Sequence, residues 1–287
     1  MKRMNIHITL SILLLCCCHA IAQTTTTPLN IGITNKLPSN ILGETRTINI
    51  YLPEDYDAKD TMTYPVIYIP DGGMEEDFFH IAGIVRYNTQ PWVARFPKSI
   101  VVGIENTNRK RDFTFPVNNL DFMDKLGYKN LNMPSYGGSA NYIAFLEKEL
   151  QPFIQNKYKT NGQGTIIGES LAGLLATEIL LKHPGLFDTY IIISPSLWWG
   201  DESLLKEAES LLKENARQPI RVVVAAPDKQ EDVRMYNEAE KLFKILKANN
   251  HVTAFFDYLP DELHSTVIHQ AVYNAFKKLY PKTAYSK

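Results

Sequence analysis

One serine in this chain lies in a setting that suits nucleophilic chemistry. Ser170 follows a short apolar run and precedes an apolar-faced helical pattern. Gly168, Ala172 and Gly173 flank it, as required where a sharp turn packs a strand against a helix. The tip of such a turn lies beside free N–H groups at a helix N-terminus, which stabilise an anion. The pattern favours attack on an ester carbonyl, although a helix N-cap after a buried strand is the structural alternative.

A serine nucleophile needs a base, and His264 is the favoured candidate. It lies in the loop after the last predicted strand, C-terminal to Ser170. His183 comes before a proline at a helix end, where it would cap the last carbonyls. The remaining histidines beyond residue 22 lie at a strand start or within predicted helices: His80, His251 and His269.

The base in turn needs a carboxylate that fixes its tautomer. The chain order serine, acid, histidine places this acid between Ser170 and His264. Asp228 directly follows the penultimate predicted strand and is the first choice. Glu231 and Asp232 in the same loop are two rivals, and Asp232 also fits a helix N-cap. A serine–histidine dyad without an acid stays open.

Two backbone N–H groups are predicted to form an oxyanion hole. The first belongs to Leu171, the residue after the nucleophile. The second is expected from Gly73 or Met74 in the turn that begins at Asp71, because this turn follows a buried strand.

The surrounding pattern predicts an α/β fold. Continuous apolar runs indicate buried strands, residues 45–52 alternate as a half-exposed strand does, and amphipathic segments lie between the later strands. The apolar runs lie at residues 64–69, 99–104, 165–168, 189–193, 220–226 and 252–259. This order predicts a mostly parallel central sheet with helices on both faces and an antiparallel start. Ligands bind at the carboxyl ends of strands in such sheets, so Ser170, Asp228 and His264 are expected at one edge.

The first 22 residues are typical of a signal peptide. Lys2 and Arg3 precede an apolar run too short to span a bilayer, and a small-x-small site follows. We therefore expect a secreted or periplasmic protein with a single domain at residues 23–287. Lipid attachment at Cys16, Cys17 or Cys18 is the less favoured alternative, because Leu15 is bulky for a lipoprotein signal.

Composition excludes several classes of function. All three cysteines lie in the leader, so the mature chain would have no disulfide and no thiolate metal site. Without Lys2 and Arg3, 28 of the 30 basic residues remain against 31 acidic ones, which argues against a nucleic-acid surface. The sequence holds no zinc-binding His-Glu-x-x-His pattern, no phosphate loop and no dinucleotide glycine fingerprint. We expect no metal, no cofactor and no membrane span in the mature chain.

Several stretches together resemble the putative esterase family of the α/β-hydrolase superfamily, which includes esterase D, feruloyl esterases and enterochelin-type siderophore esterases. The matching stretches are residues 68–72, 103–112, 136–138, 149–150, 182–188, 194–199 and 261–265. The resemblance implies an α/β-hydrolase fold with Ser170 as nucleophile and His264 as base. Two residues depart from the family pattern, since Glu169 stands where His or Asn is usual and Ala172 where a second glycine is usual. The loop of Asp228 departs from it too.

Several further residues are candidates for the substrate pocket. Trp198 and Trp199 are expected at the rim of the pocket or in the core near it. Glu169 places a negative charge beside the nucleophile and can tune substrate choice. Arg109, Arg111 and Asp112 could hold an anionic substrate, although an internal ion pair among them that pins the long loop is favoured.

These observations predict a secreted serine carboxylic-ester hydrolase that acts through an acyl-enzyme on a small-molecule or carbohydrate ester. A sugar acyl ester, a siderophore ester and a simple short-chain ester all fit the sequence. An acyltransferase on the same fold and a non-catalytic protein that binds a siderophore are the alternatives.

Overall fold

The structure, a computed structural model, describes residues 26–127 and 132–280. All its strands and helices belong to the compact unit Gly32–Lys287; of the other unit, Met1–Ile31, only residues 26–31 are described, and they form neither helix nor strand. The predicted signal peptide and its boundary after residue 22 lie outside the described residues. In the part of the chain that is described, no helix has both the length and the apolar character that crossing a bilayer requires.

The strands of the described residues form one eight-stranded sheet. They are β1 (Ile33–Ser39), β2 (Glu44–Tyr51), β3 (Tyr64–Ile69), β4 (Ile100–Ile104), β5 (Thr160–Glu169), β6 (Thr189–Ile193), β7 (Ile220–Ala226) and β8 (Val252–Tyr258). Their order across the sheet is β1-β2-β4-β3-β5-β6-β7-β8. The β1–β2 and β2–β4 pairs are antiparallel, and every later pair is parallel.

Helices connect most of the parallel strands. They are α1 (Phe78–Asn88), α2 (Arg109–Phe113), α3 (Asp121–Lys125), α4 (Ser139–Phe145), α5 (Gln151–Lys157), α6 (Leu171–Lys182), α7 (Ser203–Asn215), α8 (Val233–Lys247) and α9 (Val267–Leu279). A π-helical turn, Leu146–Leu150, joins α4 to α5, and a 3₁₀ turn, Pro184–Leu186, follows α6.

The sheet has a separate apolar core on each face. Successive residues of a strand point to opposite faces, so Val66 and Tyr68 of β3 face one core while Ile67 and Ile69 face the other. Helices α4 to α8 pack on the first face, and α1 and α9 pack on the second. The predicted fold class, a mostly parallel sheet covered by helices on both faces, is confirmed.

Two local features differ from the sequence-based expectation. Strand β1, which was not predicted, pairs with β2 along the outer edge of the sheet. Its residues are mostly exposed, so its sequence lacks the apolar run that identifies a buried strand. The irregular stretch at residues 106–136 holds the short helices α2 and α3.

A buried ion cluster anchors this stretch to the sheet. The Asp112 carboxylate accepts hydrogen bonds from Arg46 of β2 and, at 2.7 Å, from Arg111 Nε. Arg46 and Asp112 are fully buried, and Glu44 lies 2.8 Å from both guanidinium groups. The Arg111–Asp112 ion pair therefore pins the stretch as favoured from the sequence.

Asp112→Ala should destabilise the fold because it leaves the Arg46 guanidinium buried with only Glu44 beside it. Removing one partner of a buried pair costs about 3 kcal/mol or more in free energy of unfolding. Urea unfolding followed by circular dichroism measures this loss. Glu240→Ala, which breaks the exposed Lys244–Glu240 pair on α8, is the control and should change little. A loss for Asp112→Ala no larger than that of the control contradicts the anchoring role.

Candidate active site

Ser170 lies between β5 and α6 in a conformation that few side chains adopt. Its φ is 59° and its ψ is −118°. Its N–H donates to the Ile193 carbonyl at 3.0 Å, and its carbonyl accepts from the N–H groups of Leu174 and Ser196 at 2.9 and 3.0 Å. Backbone bonds to β6, to the loop after β6 and to α6 thus hold this serine in a strained turn at the strand–helix joint, and its role as the nucleophile stays a prediction.

The strand–helix joint is possible because Gly168 has no side chain. A Cβ atom at this position would lie 2.2 Å from the Ala172 carbonyl oxygen. One at Gly173 would lie 3.0 Å from Pro195 Cα. The small residues around the serine therefore allow α6 to begin directly against β5 and the loop after β6.

His264 lies in the loop between β8 and α9, at the same edge of the sheet. Its Nδ1 is 2.9 Å from the Ser194 hydroxyl, and its backbone N–H donates to Glu231 Oε2 at 2.6 Å. Its Nε2 is 3.4 Å from Glu169 Oε1. Ser194 was not assigned a role from the sequence, although its place directly after β6, beside β5, was a usable signal.

The predicted nucleophile and base line one cavity without a direct hydrogen bond. The Ser170 hydroxyl is 3.3 Å from the Ser196 hydroxyl, and within the described residues no hydrogen bond joins it to His264. Hydrogen bonds between catalytic groups often tighten only when substrate binds.

The three candidate acids differ in their contacts. Asp228 Oδ1 accepts from Gln230 N–H at 3.0 Å and from the Tyr258 hydroxyl at 3.4 Å. The Asp232 carboxylate caps α8, as foreseen for this residue, while Glu231 binds the backbone of His264. Across residues 26–127 and 132–280, no hydrogen bond joins any of these carboxylates to the imidazole. The choice of Asp228 as the triad acid stays a prediction.

The two predicted oxyanion donors differ in whether their N–H group already has an acceptor. Leu171 is the first residue of α6, where the N–H has no acceptor within the helix. Gly73 N–H donates to the Glu76 carboxylate at 2.6 Å, and Asn106 holds the other oxygen of that carboxylate at 2.8 Å. Gly73 can therefore bind an oxyanion only if Glu76 moves away, which leaves Met74 as the alternative donor in this turn.

The cavity at this edge has a volume of about 410 Å³. Ser170 and His264 line it together with the three candidate acids and with apolar and cationic side chains, namely Arg109, Lys110, Leu171, Pro227, Met235, Trp198 and Tyr236. Trp198 thus lines this cavity, and its role in substrate binding stays a prediction. Trp199 is fully buried in the core and donates to the Phe115 carbonyl at 2.9 Å, and Arg111 lies outside this lining.

Burial shifts the pKa of two groups beside the nucleophile. It lowers the pKa of His264, an effect to which the positive Arg109 adds and which Glu231 opposes. It raises the pKa of Glu169 to about 8 despite Arg109 nearby. Arg109 itself is fixed by Asp71 through two hydrogen bonds of 2.7 and 2.9 Å. Near neutral pH both Glu169 and His264 therefore favour their uncharged forms.

A serine on a strained strand–helix turn, beside a histidine from the loop after the last strand, places this protein among the α/β-hydrolases. The family model described as putative esterase matches residues 39–273. The chain belongs to the putative esterase family and is a carboxylic ester hydrolase.

Named relatives and solved structures agree with this assignment. Ferri-bacillibactin esterase BesA of Bacillus subtilis is 29% identical over 250 residues, which cover 82% of this chain and 85% of that protein. The structure of an IroE-like serine hydrolase from Shewanella oneidensis is 30% identical with a TM-score of 0.76, covering 87% of this chain and 80% of the other. The BES protein from Bacillus cereus is 27% identical with the same TM-score, covering 91% and 100%.

Gly168→Ala should displace Ser170, because its Cβ would overlap the first turn of α6. We expect a loss of esterase activity of at least about a hundredfold, since small misplacements of reacting groups have effects of this size. Gly185→Ala, where a Cβ meets no atom within 4 Å, is the matched control. Both variants are assayed on a nitrophenyl ester and checked by thermal unfolding. If Gly168→Ala were as active as the control, the close contact at Gly168 would not be what positions Ser170.

Proposed function

We propose that this protein is a serine esterase that hydrolyses siderophore esters through an acyl-enzyme on Ser170. One observation carries the mechanistic part: the strained Ser170 and the imidazole of His264 line one cavity at the carboxyl edge of the sheet. A nucleophile and a base on that edge are the minimum that acyl transfer requires.

The proposed reaction has two steps. Ser170 Oγ bonds to the ester carbonyl carbon while its proton passes to His264. Leu171 N–H and an N–H of the turn at Gly73 and Met74 stabilise the oxyanion. His264 then gives the proton to the departing alkoxide, which leaves an acyl group on Ser170. Water attacks this acyl group, its proton passes to His264, and the acid is released as Ser170 regains a proton.

The proposed substrate class is supported by the names of the relatives and by the side chains that line the cavity. BesA is named a ferri-bacillibactin esterase, and the Shewanella oneidensis relative is named a serine hydrolase. The indole of Trp198 and the side chains of Met235 and Tyr236 give the cavity wall an apolar and aromatic part. Such a surface suits an aromatic acyl group better than a bare sugar acetate.

Secretion is part of the proposal as well. It is supported by the charged start, apolar run and small-x-small site of the first 22 residues. A secreted or periplasmic esterase would meet its ester outside the cytoplasm.

An ester panel tests the proposed activity. It contains acetyl and butyryl nitrophenyl esters, an acetylated sugar, a feruloylated sugar and a catecholate siderophore lactone. We expect the siderophore to be the best substrate by kcat/KM and Ser170→Ala to lower kcat by about 10⁴-fold or more, since the nucleophile is lost.

Ser210→Ala, an exposed serine on α7, serves as the control and should keep wild-type rates. Turnover by Ser170→Ala comparable to wild type would refute the mechanism. A product in which an added alcohol carries the acyl group would instead indicate a transferase, and a folded wild type that cleaves no ester would indicate a binding protein.

Two variants of the acid loop test the carboxylate assignment. Glu231→Ala removes the acceptor for the His264 backbone N–H, so we expect kcat to fall by about tenfold. For Asp228→Asn, a change at the predicted triad acid, we expect kcat to fall by about 10⁴-fold, because the amide no longer fixes the histidine tautomer. A loss no larger than that of Glu231→Ala would reject Asp228 as the triad acid and would leave its contacts to Gln230 and Tyr258 as its role.

A further inference from the structure

The carboxyl group of Glu169 lies beside the imidazole of His264, and the mechanism above gives it no role. It is the last residue of β5, and its side chain is 17% exposed. Its Oε1 is buried, has no hydrogen-bond partner among the described residues and lies 3.4 Å from His264 Nε2. A buried oxygen without a partner is costly, so a small shift that lets a proton bridge these two atoms is favourable.

Both nitrogens of the imidazole therefore face groups other than the nucleophile. Nδ1 faces the Ser194 hydroxyl at 2.9 Å, and Nε2 faces Glu169. The Ser170 hydroxyl faces Ser196 at 3.3 Å. Because one ring nitrogen must accept the Ser170 proton, one of the two existing contacts has to give way before acyl transfer.

We infer that Glu169 and Ser170 compete for His264 Nε2, and that the Glu169–His264 pair must lose its shared proton before His264 can act as the base. The inference rests on the proposed function, since it assumes that Ser170 is the nucleophile. Glu169 acts through His264 and does not itself bond to the ester.

The protons balance as follows. With Glu169 protonated, its O–H donates to the lone pair of Nε2, and Nδ1–H donates to Ser194. Loss of the carboxyl proton to solvent frees that lone pair. Ser170 then transfers its hydroxyl proton to Nε2 as Oγ bonds to the carbonyl carbon. The imidazolium so formed lies beside the Glu169 carboxylate, which stabilises it until the proton passes to the leaving alkoxide.

Burial and the charges around Glu169 determine the pH at which its carboxyl group loses the proton. Burial raises the pKa of Glu169 to about 8; Arg109 opposes this shift, and Asp71 and Asp77 add to it. Below that pKa the carboxyl group keeps its proton, and above it the carboxylate is formed. The availability of the base should therefore increase as the pH rises through about 8.

The charges around His264 do not remove this dependence. Burial lowers the pKa of His264, Arg109 adds to the shift, and Glu231 and Asp232 oppose it. The imidazole is thus already neutral near pH 7 and does not limit the reaction there. The change above neutral pH belongs to Glu169.

The rate at which an organophosphonate ester labels Ser170 reports how much of His264 can accept the Ser170 proton. Labelling requires only the attack of Ser170 on the reagent and not the later release of an acyl group. For wild type we expect a rise of roughly twentyfold between about pH 6.5 and about pH 8.5, after subtraction of reagent hydrolysis. Glu169→Gln should label at a nearly constant rate over this range, because the titrating group is gone.

Glu238→Gln is the matched control. Glu238 is buried on α8, and burial raises its pKa to about 8 as well, but it does not contact His264. This variant should keep the wild-type rise. Glu169→Asn replaces Glu169→Gln if circular dichroism shows that the latter is unfolded.

The outcomes separate the inference from the proposed function. Labelling of Ser170→Ala at the wild-type rate would refute Ser170 as the nucleophile, whatever the pH dependence. Labelling confined to Ser170 with a flat wild-type profile would overturn the competition alone. The competition would also be overturned if the labelling rate of Glu169→Gln increased with pH at the same midpoint as wild type.

Discussion

The close contact between β5 and the first turn of α6 is the constraint on which the site depends. At Gly168 the space available to a side chain is already occupied by the Ala172 carbonyl. The chain turns there with Ser170 at a positive φ, a conformation that costs about 1–3 kcal/mol for a residue other than glycine. Packing of α6 on the sheet and the backbone bonds to Ile193, Leu174 and Ser196 offset this cost. The position of the hydroxyl is thus fixed by the fold rather than by its own side-chain contacts.

Parallel strands bring the other groups to the same place. The loops after β5, β6, β7 and β8 leave one edge of the sheet, and they carry Ser170, Ser194, Asp228 and His264 in that order. The buried strands of this region could be predicted because they are continuous apolar runs, and their alternation with amphipathic helices determines the direction of the connections. Once the direction is fixed, a serine and a histidine just after two strands must lie at one edge. That is why the cavity residues Ser170 and His264 could be proposed without a structure.

Other parts of the site depend on contacts that no local pattern encodes. Whether Asp228 or Glu231 faces the histidine depends on how the loops after β7 and β8 pack on each other, and the bond from Asp228 N–H to the Glu262 carbonyl is part of that packing. The sequence predicts Gly73 or Met74 as an oxyanion donor, but it does not predict the bond from Gly73 N–H to Glu76, a side chain three residues later in the same turn. The edge strand β1 escaped prediction for a different reason, since its partner and not its hydrophobicity makes it a strand.

Glu169, the residue before Ser170, contacts the imidazole of His264 from the end of β5. Glu169 pairs in register with Ile193 on the neighbouring strand β6, so the side chains of Glu169 and Ser194 approach the imidazole from two adjacent strand ends. Neither position can be moved without shifting the sheet itself. The protonation state of Glu169 therefore changes the electrostatic environment of His264 whatever the substrate is. Burial, which also suits an apolar substrate, raises the pKa of the Glu169 carboxyl group. The pH dependence proposed for the base therefore rests on a single side chain at the end of β5.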